Sequence, residues 1–145
     1  MLIKNHDFGK HASIKFVPTF PVKIINPHHK LKIETPYYLT GIIDTGASEC
    51  CVPSFVAPDI CHEWTAGVLR KIDTASGKGT AYAHCTTINI YHPDTNELIY
   101  TINDKMIDFC RGLKYVLLGH KSFLRNFILN IDYLERKYSL IQKDH

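Results

Sequence analysis

Short apolar stretches broken by proline, glycine and polar clusters run the length of the chain. That pattern predicts strands joined by turns, not long helices. Residues 22–25 read as a strand closed by Asn26-Pro27, and 27–30 as a turn. Residues 14–20 read as an edge strand stopped by Pro18 and Pro21. Residues 31–34 alternate weakly until Pro36 breaks them, and 37–43 form the next strand. Residues 50–52 are apolar and end at Pro53, and 54–61 suit a short helical turn. Residues 62–69 carry no clear pattern, and 68–72 read as a strand. Residues 82–91 and 98–102 flank a hairpin turn at 92–96. Residues 105–109 and 115–118 are further strands, the latter buried. Residues 120–126 are the best helix candidate. The chain closes on a hairpin, with 127–133 and 138–141 flanking 134–137. Many short strands and one small C-terminal helix predict an all-β fold closed into a β-barrel. Residues 1–12 are polar and aperiodic, so a loose start is expected. The division that follows is an N-terminal extension at 1–14 and a single domain at 15–145, with no linker, repeat or low-complexity segment between.

One strand carries chemistry. In Leu39-Thr40-Gly41-Ile42-Ile43-Asp44-Thr45-Gly46-Ala47-Ser48 an apolar run feeds directly into a carboxylate. Strands disfavour Asp, and a buried carboxylate is costly unless it is paired or its pKa moves. Thr-Gly-Ala-Ser supplies what a sharp turn around that group needs. Gly46 has access to backbone angles closed to other residues, and Thr45 and Ser48 can hydrogen-bond locally.

Asp44 to Ser48, set between an apolar strand and Cys51-Val52-Pro53, resembles the active-site loop of the aspartic proteases. Tyr115-Val116-Leu117-Leu118-Gly119-His120 lies about seventy residues later. It resembles the apolar-apolar-Gly element that retropepsin-like aspartic proteases place after their last inner strand. The two motifs together are a far stronger signal than Asp-Thr-Gly alone. The resemblance covers about residues 15–141 and implies a retropepsin-type barrel. It makes Asp44 the catalytic residue, with Thr45, Gly46, Ala47 and Ser48 supporting the loop. Leu117, Leu118 and Gly119 become the scaffold over which that loop packs. It departs from the retroviral pattern at two positions. Ser48 and His120 stand where an acidic residue and an arginine usually form an ion pair.

At 145 residues the chain has room for one lobe. The mechanism of this class needs two carboxyls sharing one proton, so the resemblance implies a homodimer. Asp44 of each copy would face its mate, and Thr45 would be buried against its counterpart. Asp73-Thr74-Ala75-Ser76-Gly77 nearly echoes the first motif, but only 29 positions separate Asp73 from Asp44 and Ala75 stands where the turn needs glycine. Thr74, Ala75, Ser76, Gly77, Lys78 and Gly79 resemble the flap instead, a hairpin that closes over the substrate.

Composition narrows the rest. A net charge of +3 with scattered Lys and Arg argues against nucleic acid. No apolar run approaches the roughly 20 residues of a membrane span. The N-terminal residues lack the apolar core of a signal peptide, and the expectation is a cytoplasmic protein. Five cysteines, an odd number, argue against a disulfide framework. Nine histidines raise the question of metal. In Cys61-His62 and His84-Cys85, however, adjacent strand residues point to opposite faces, so no metal is expected, and the mechanism that the resemblance implies needs no cofactor. Cys50 and Cys51 beside the active loop suggest sensitivity to oxidation.

The expected function is an aspartic endopeptidase acting on an extended peptide or protein substrate. The alternatives are a non-cleaving peptide-binding or dimerisation domain of the same fold, and a monomeric barrel with another role.

Overall fold

A computed structural model describes residues 3–9, 14, 16–74 and 77–143. Among the described residues there are ten strands: β1 (Ile3–Asp7), β2 (Thr19–Ile25), β3 (Leu39–Ile43), β4 (Cys51–Pro53), β5 (Val68–Thr74), β6 (Gly77–Tyr91), β7 (Leu98–Cys110), β8 (Val116–Leu118), β9 (Phe127–Asp132) and β10 (Lys137–Gln142). The main sheet runs β2-β3-β8-β4-β7-β6-β5, and β6 pairs back onto β2. That return pairing closes six strands into a barrel, with β5 attached to β6 outside the ring. The all-β closed barrel expected from the pattern is what the chain forms. No helix among the described residues is long and apolar enough to cross a membrane.

The barrel is filled by inward-facing residues of alternating strands. Val22, Ile24, Ile43, Ile88, Ile107, Phe109 and Leu118 are all essentially inaccessible to solvent. Two pairings are parallel, β3 with β8 and β4 with β7. In the first, Ile43 lies opposite Leu118. The strand ends that carry Asp44 and Gly119 therefore lie side by side, although far apart in sequence.

Several expectations change. Of the strands expected at 14–20 and 22–25, Lys15 lies outside the described residues, and Thr19–Ile25 is one strand that passes through Pro21. Ile43 donates its N–H to Pro18 O at 3.2 Å, so Pro21, opposite Thr40, takes a non-hydrogen-bonded position. Pairing with β6 begins only at Val22, so no neighbour asks Pro21 for the donor it lacks. Residues 98–102 and 105–109 likewise form one strand, continued through an irregularity opposite Thr87. Residues 31–34 contribute a single bridge, Ile25 to Glu34.

The loose start is also corrected at residues 3–7. β1 pairs with β10, and β10 with β9, in a second three-stranded sheet. Ile3 and Phe8 are buried there beside Tyr138. The expected helix at 120–126 contracts to a 3₁₀ turn, Leu124–Asn126. The residues before it make one tight bend: Leu124 donates to Gly119 O and Arg125 to His120 O, each at 3.0 Å. A second 3₁₀ segment, Ser54–Ile60, lies where a helical turn was expected.

Candidate active site

Asp44 follows the last residue of β3 and is half-buried at the edge of an open cleft of about 1560 Å³. Its backbone N–H donates to Leu118 O at 3.2 Å, extending the parallel ladder by one residue. The chain then turns sharply. Ala47 N–H donates to Asp44 O at 3.2 Å, and Gly46 N–H donates to the carboxylate Oδ1 at 3.0 Å. Gly46 does not adopt a left-handed φ, contrary to the conformational freedom expected of it; its contribution here is an N–H close to the carboxylate. Thr45 and Ser48 are exposed in the single chain.

The loop is held from below by the second motif. His120 N–H donates to Ala47 O at 2.9 Å and Lys121 N–H to Ser48 O at 3.0 Å. A Cβ on Gly119 would fall 2.2 Å from Glu49 O and 2.8 Å from Ala47 O, so only glycine fits. Gly119 N–H in turn donates to the sulfur of Cys50 at 3.3 Å. Leu118 is fully buried, and Leu117 reaches the cleft. Backbone hydrogen bonds thus join the two motifs where Ser48 and His120 stand.

β5 and β6 form the opposite wall and pair as far as Thr74 with Gly77. Lys78 and Gly79 line the cleft, and Gly77 has a φ of +117° that favours glycine. Ala75, Ser76 and the side chain of Thr74 lie outside the described residues.

The cleft contains groups that the sequence reading did not select. Asp108 on β7 is almost fully buried and meets Arg70 of β5 at 3.2 Å. Burial raises its pKa, and the Arg70 guanidinium pulls the other way. The signal was available, since Met106-Ile107-Asp108-Phe109 is another carboxylate in an apolar run. Trp64 lines the same wall, its indole N–H donating to Phe109 O at 2.9 Å, with the Arg111 guanidinium over its ring at 5.3 Å. Cys51 and Cys110 share a hydrogen bond at the cleft, which with burial pushes the Cys51 thiol up. Cys50 is deeper, and burial raises its pKa to about 11.

This architecture matches a crystal structure of a retropepsin-like aspartic protease from Rickettsia conorii, with a TM-score of 0.52 over 94% of this chain and 99% of that one. The fold is retropepsin-like. Sequence identity across the match is 17%, so the likeness is one of fold. No protein-family model matches the chain, and no curated protein does either. In this fold the Asp44 carboxylate stands at the end of β3, cradled by its own loop over Gly119 and open to the cleft.

Proposed function

We propose that the chain is an aspartic endopeptidase assembled from two copies, with Asp44 of each contributing one half of the catalytic pair. The position of Asp44 carries this reading: its carboxylate is half-exposed in an open cleft, fixed by Gly46 N–H at 3.0 Å and by a loop seated on Gly119. The retropepsin-like fold supports it, and so does the exposure of Thr45 in the single chain, a surface that a second copy would cover.

Two carboxyls held at hydrogen-bond distance do not both ionise, so the pair keeps one proton and titrates as a unit. The ionised member takes a proton from water, whose oxygen attacks the scissile carbonyl. The protonated member hydrogen-bonds the carbonyl oxygen and stabilises the charge that develops there. The proton then passes to the leaving amine as the C–N bond breaks. The substrate lies extended between the two copies, bonded through its backbone to the Gly46-Ala47 segment and to Gly77, Lys78 and Gly79, which act as the flap. No cofactor enters the reaction.

Digestion of a mixed peptide library from acidic to neutral pH by wild type and Asp44→Asn tests the reading. Wild type is expected to cleave, and the variant to lose at least about 10³-fold in rate. Cleavage by both alike would assign the chemistry elsewhere. Inactivity of both would leave a peptide-binding domain of the same fold.

A further inference from the structure

The geometry points to a zinc-binding site outside the cleft, formed by His28, Cys85 and Asp104. Among the described residues, one group of three metal-ligating side chains converges: a ring nitrogen of His28, the sulfur of Cys85 and a carboxylate oxygen of Asp104 all lie within 4.8 Å of one another. His28 Nε2 and Asp104 Oδ1 are 2.8 Å apart. Ligand atoms around a tetrahedral zinc ion are about 3.3–3.6 Å apart, given bonds of about 2.0–2.3 Å. The His28–Asp104 pair is closer than that and the whole set lies within 4.8 Å, so side-chain rotations of that scale seat an ion among the three.

The fold brings these residues together from three separate segments. His28 sits in the turn after β2. That turn is fixed by the buried Asn26, whose Oδ1 accepts the His28 N–H at 3.2 Å and whose Nδ2 donates to Ile60 O at 3.0 Å. Cys85 comes from β6, opposite Met106 of β7. Asp104 comes from the irregularity in β7, where the pairing steps from Thr86–Lys105 to Ile88–Ile102 and leaves one extra residue on β7. Asp104 has a φ of +50° there, and its N–H donates to the buried Thr87 hydroxyl at 3.0 Å. Such bulges redirect side chains, and this one turns Asp104 toward His28. The sequence expectation of no metal weighed adjacent Cys-His pairs, which strand geometry separates. The site takes one member of such a pair and adds two residues remote in sequence.

The donor set selects the ion. Thiolate, imidazole and carboxylate together suit a borderline divalent ion such as zinc, whereas calcium and magnesium prefer oxygen alone. Three protein ligands leave the fourth position to water. The Met106 thioether lies 3.4 Å from Cys85 Sγ and shields that side of the site. His28 and Asp104 are open to solvent, which gives the ion a way in. Binding replaces the S–H bond of Cys85 with an S–Zn bond and releases that proton. None of the three residues lines the cleft, so the ion ties the 26–30 turn to the β6–β7 ladder without entering the proposed reaction.

The full chain, stripped with chelator and then titrated with cobalt as a spectroscopic probe, tests this. One equivalent should produce the ultraviolet thiolate-to-cobalt charge-transfer band. Cys85→Ser should abolish it and Cys61→Ser should leave it intact. His28→Gln and Asp104→Asn should each weaken zinc binding about tenfold or more in a competition assay. Zinc should raise the melting temperature of wild type and not of Cys85→Ser, with far-UV circular dichroism confirming that each variant is folded. The absence of a one-equivalent band in wild type would overturn the assignment. So would a band that survives Cys85→Ser and is lost in Cys51→Ser or Cys110→Ser.

Discussion

Gly119 lies closer to the Asp44 loop than any side chain would allow. With a Cβ placed 2.2 Å from Glu49 O and 2.8 Å from Ala47 O, Gly119→Ala must push the loop off its seat. The expected cost is about 2 kcal/mol or more in urea unfolding, with loss of peptidase activity. Gly46→Ala meets only Asp44 Oδ1, at 3.4 Å, an ordinary contact, and should unfold within about 1 kcal/mol of wild type. Equal costs at the two glycines would refute this account of the loop. Cys50 gives a pH dependence. Its thiol has a folded pKa of about 11, raised by burial from an ordinary value near 9. Below pH 9 the thiol is protonated whether the chain is folded or unfolded, and its contribution is fully present. Between about 9 and 11 the unfolded thiol ionises first, so stability falls as pH rises, by on the order of 2 kcal/mol. Urea unfolding at pH 8 and pH 10.5 should show a steeper fall for wild type than for Cys50→Ala. Asp44 stood out in the sequence as a candidate because a charge ending an apolar strand has few structural explanations. Asp108 showed the same signal, but its meaning depends on Arg70, which lies 38 positions away. Nothing local says that the two strands end at one cleft.

At the scale of elements, turns were easier to read than strand lengths. Asn26-Pro27 and the 92–96 turn mark boundaries through local chemistry that the fold retains, and the last turn falls one residue earlier than expected, at 133–136. Strand continuity depends on neighbours. Pro21 is tolerated because it sits in a non-hydrogen-bonded position before β6 joins, and β7 continues because Thr87 fills its bulge. Neither condition is visible without the pairing. β1 was missed because Ile3-Lys4-Asn5-His6-Asp7 is mostly polar, and only Ile3 and the following Phe8 are buried. Removing residues 1–8 should cost about 3–6 kcal/mol, from the transfer of those two side chains to water. It should also lower the urea midpoint and leave the Tyr138 ring exposed to solvent. An unchanged midpoint would make β1 a dispensable extension.

At the scale of the whole molecule, barrel closure and the parallel β3–β8 pair bring two distant motifs to one point. The order and spacing of those motifs made the fold class readable, although no family model matches the chain. The proposed reaction would require a second copy in addition. One carboxyl cannot serve as both base and acid in the same step, and the isolated chain presents a single Asp44 with an exposed Thr45 beside it. The test is to titrate Asp44→Asn into a fixed amount of wild type and follow peptide hydrolysis. With random pairing, hydrolysis should fall to about half at equal amounts, continue to fall as the variant increases, and be absent for the variant alone. Hydrolysis that is unaffected by the added variant, or that the variant performs by itself, would contradict the two-carboxyl account.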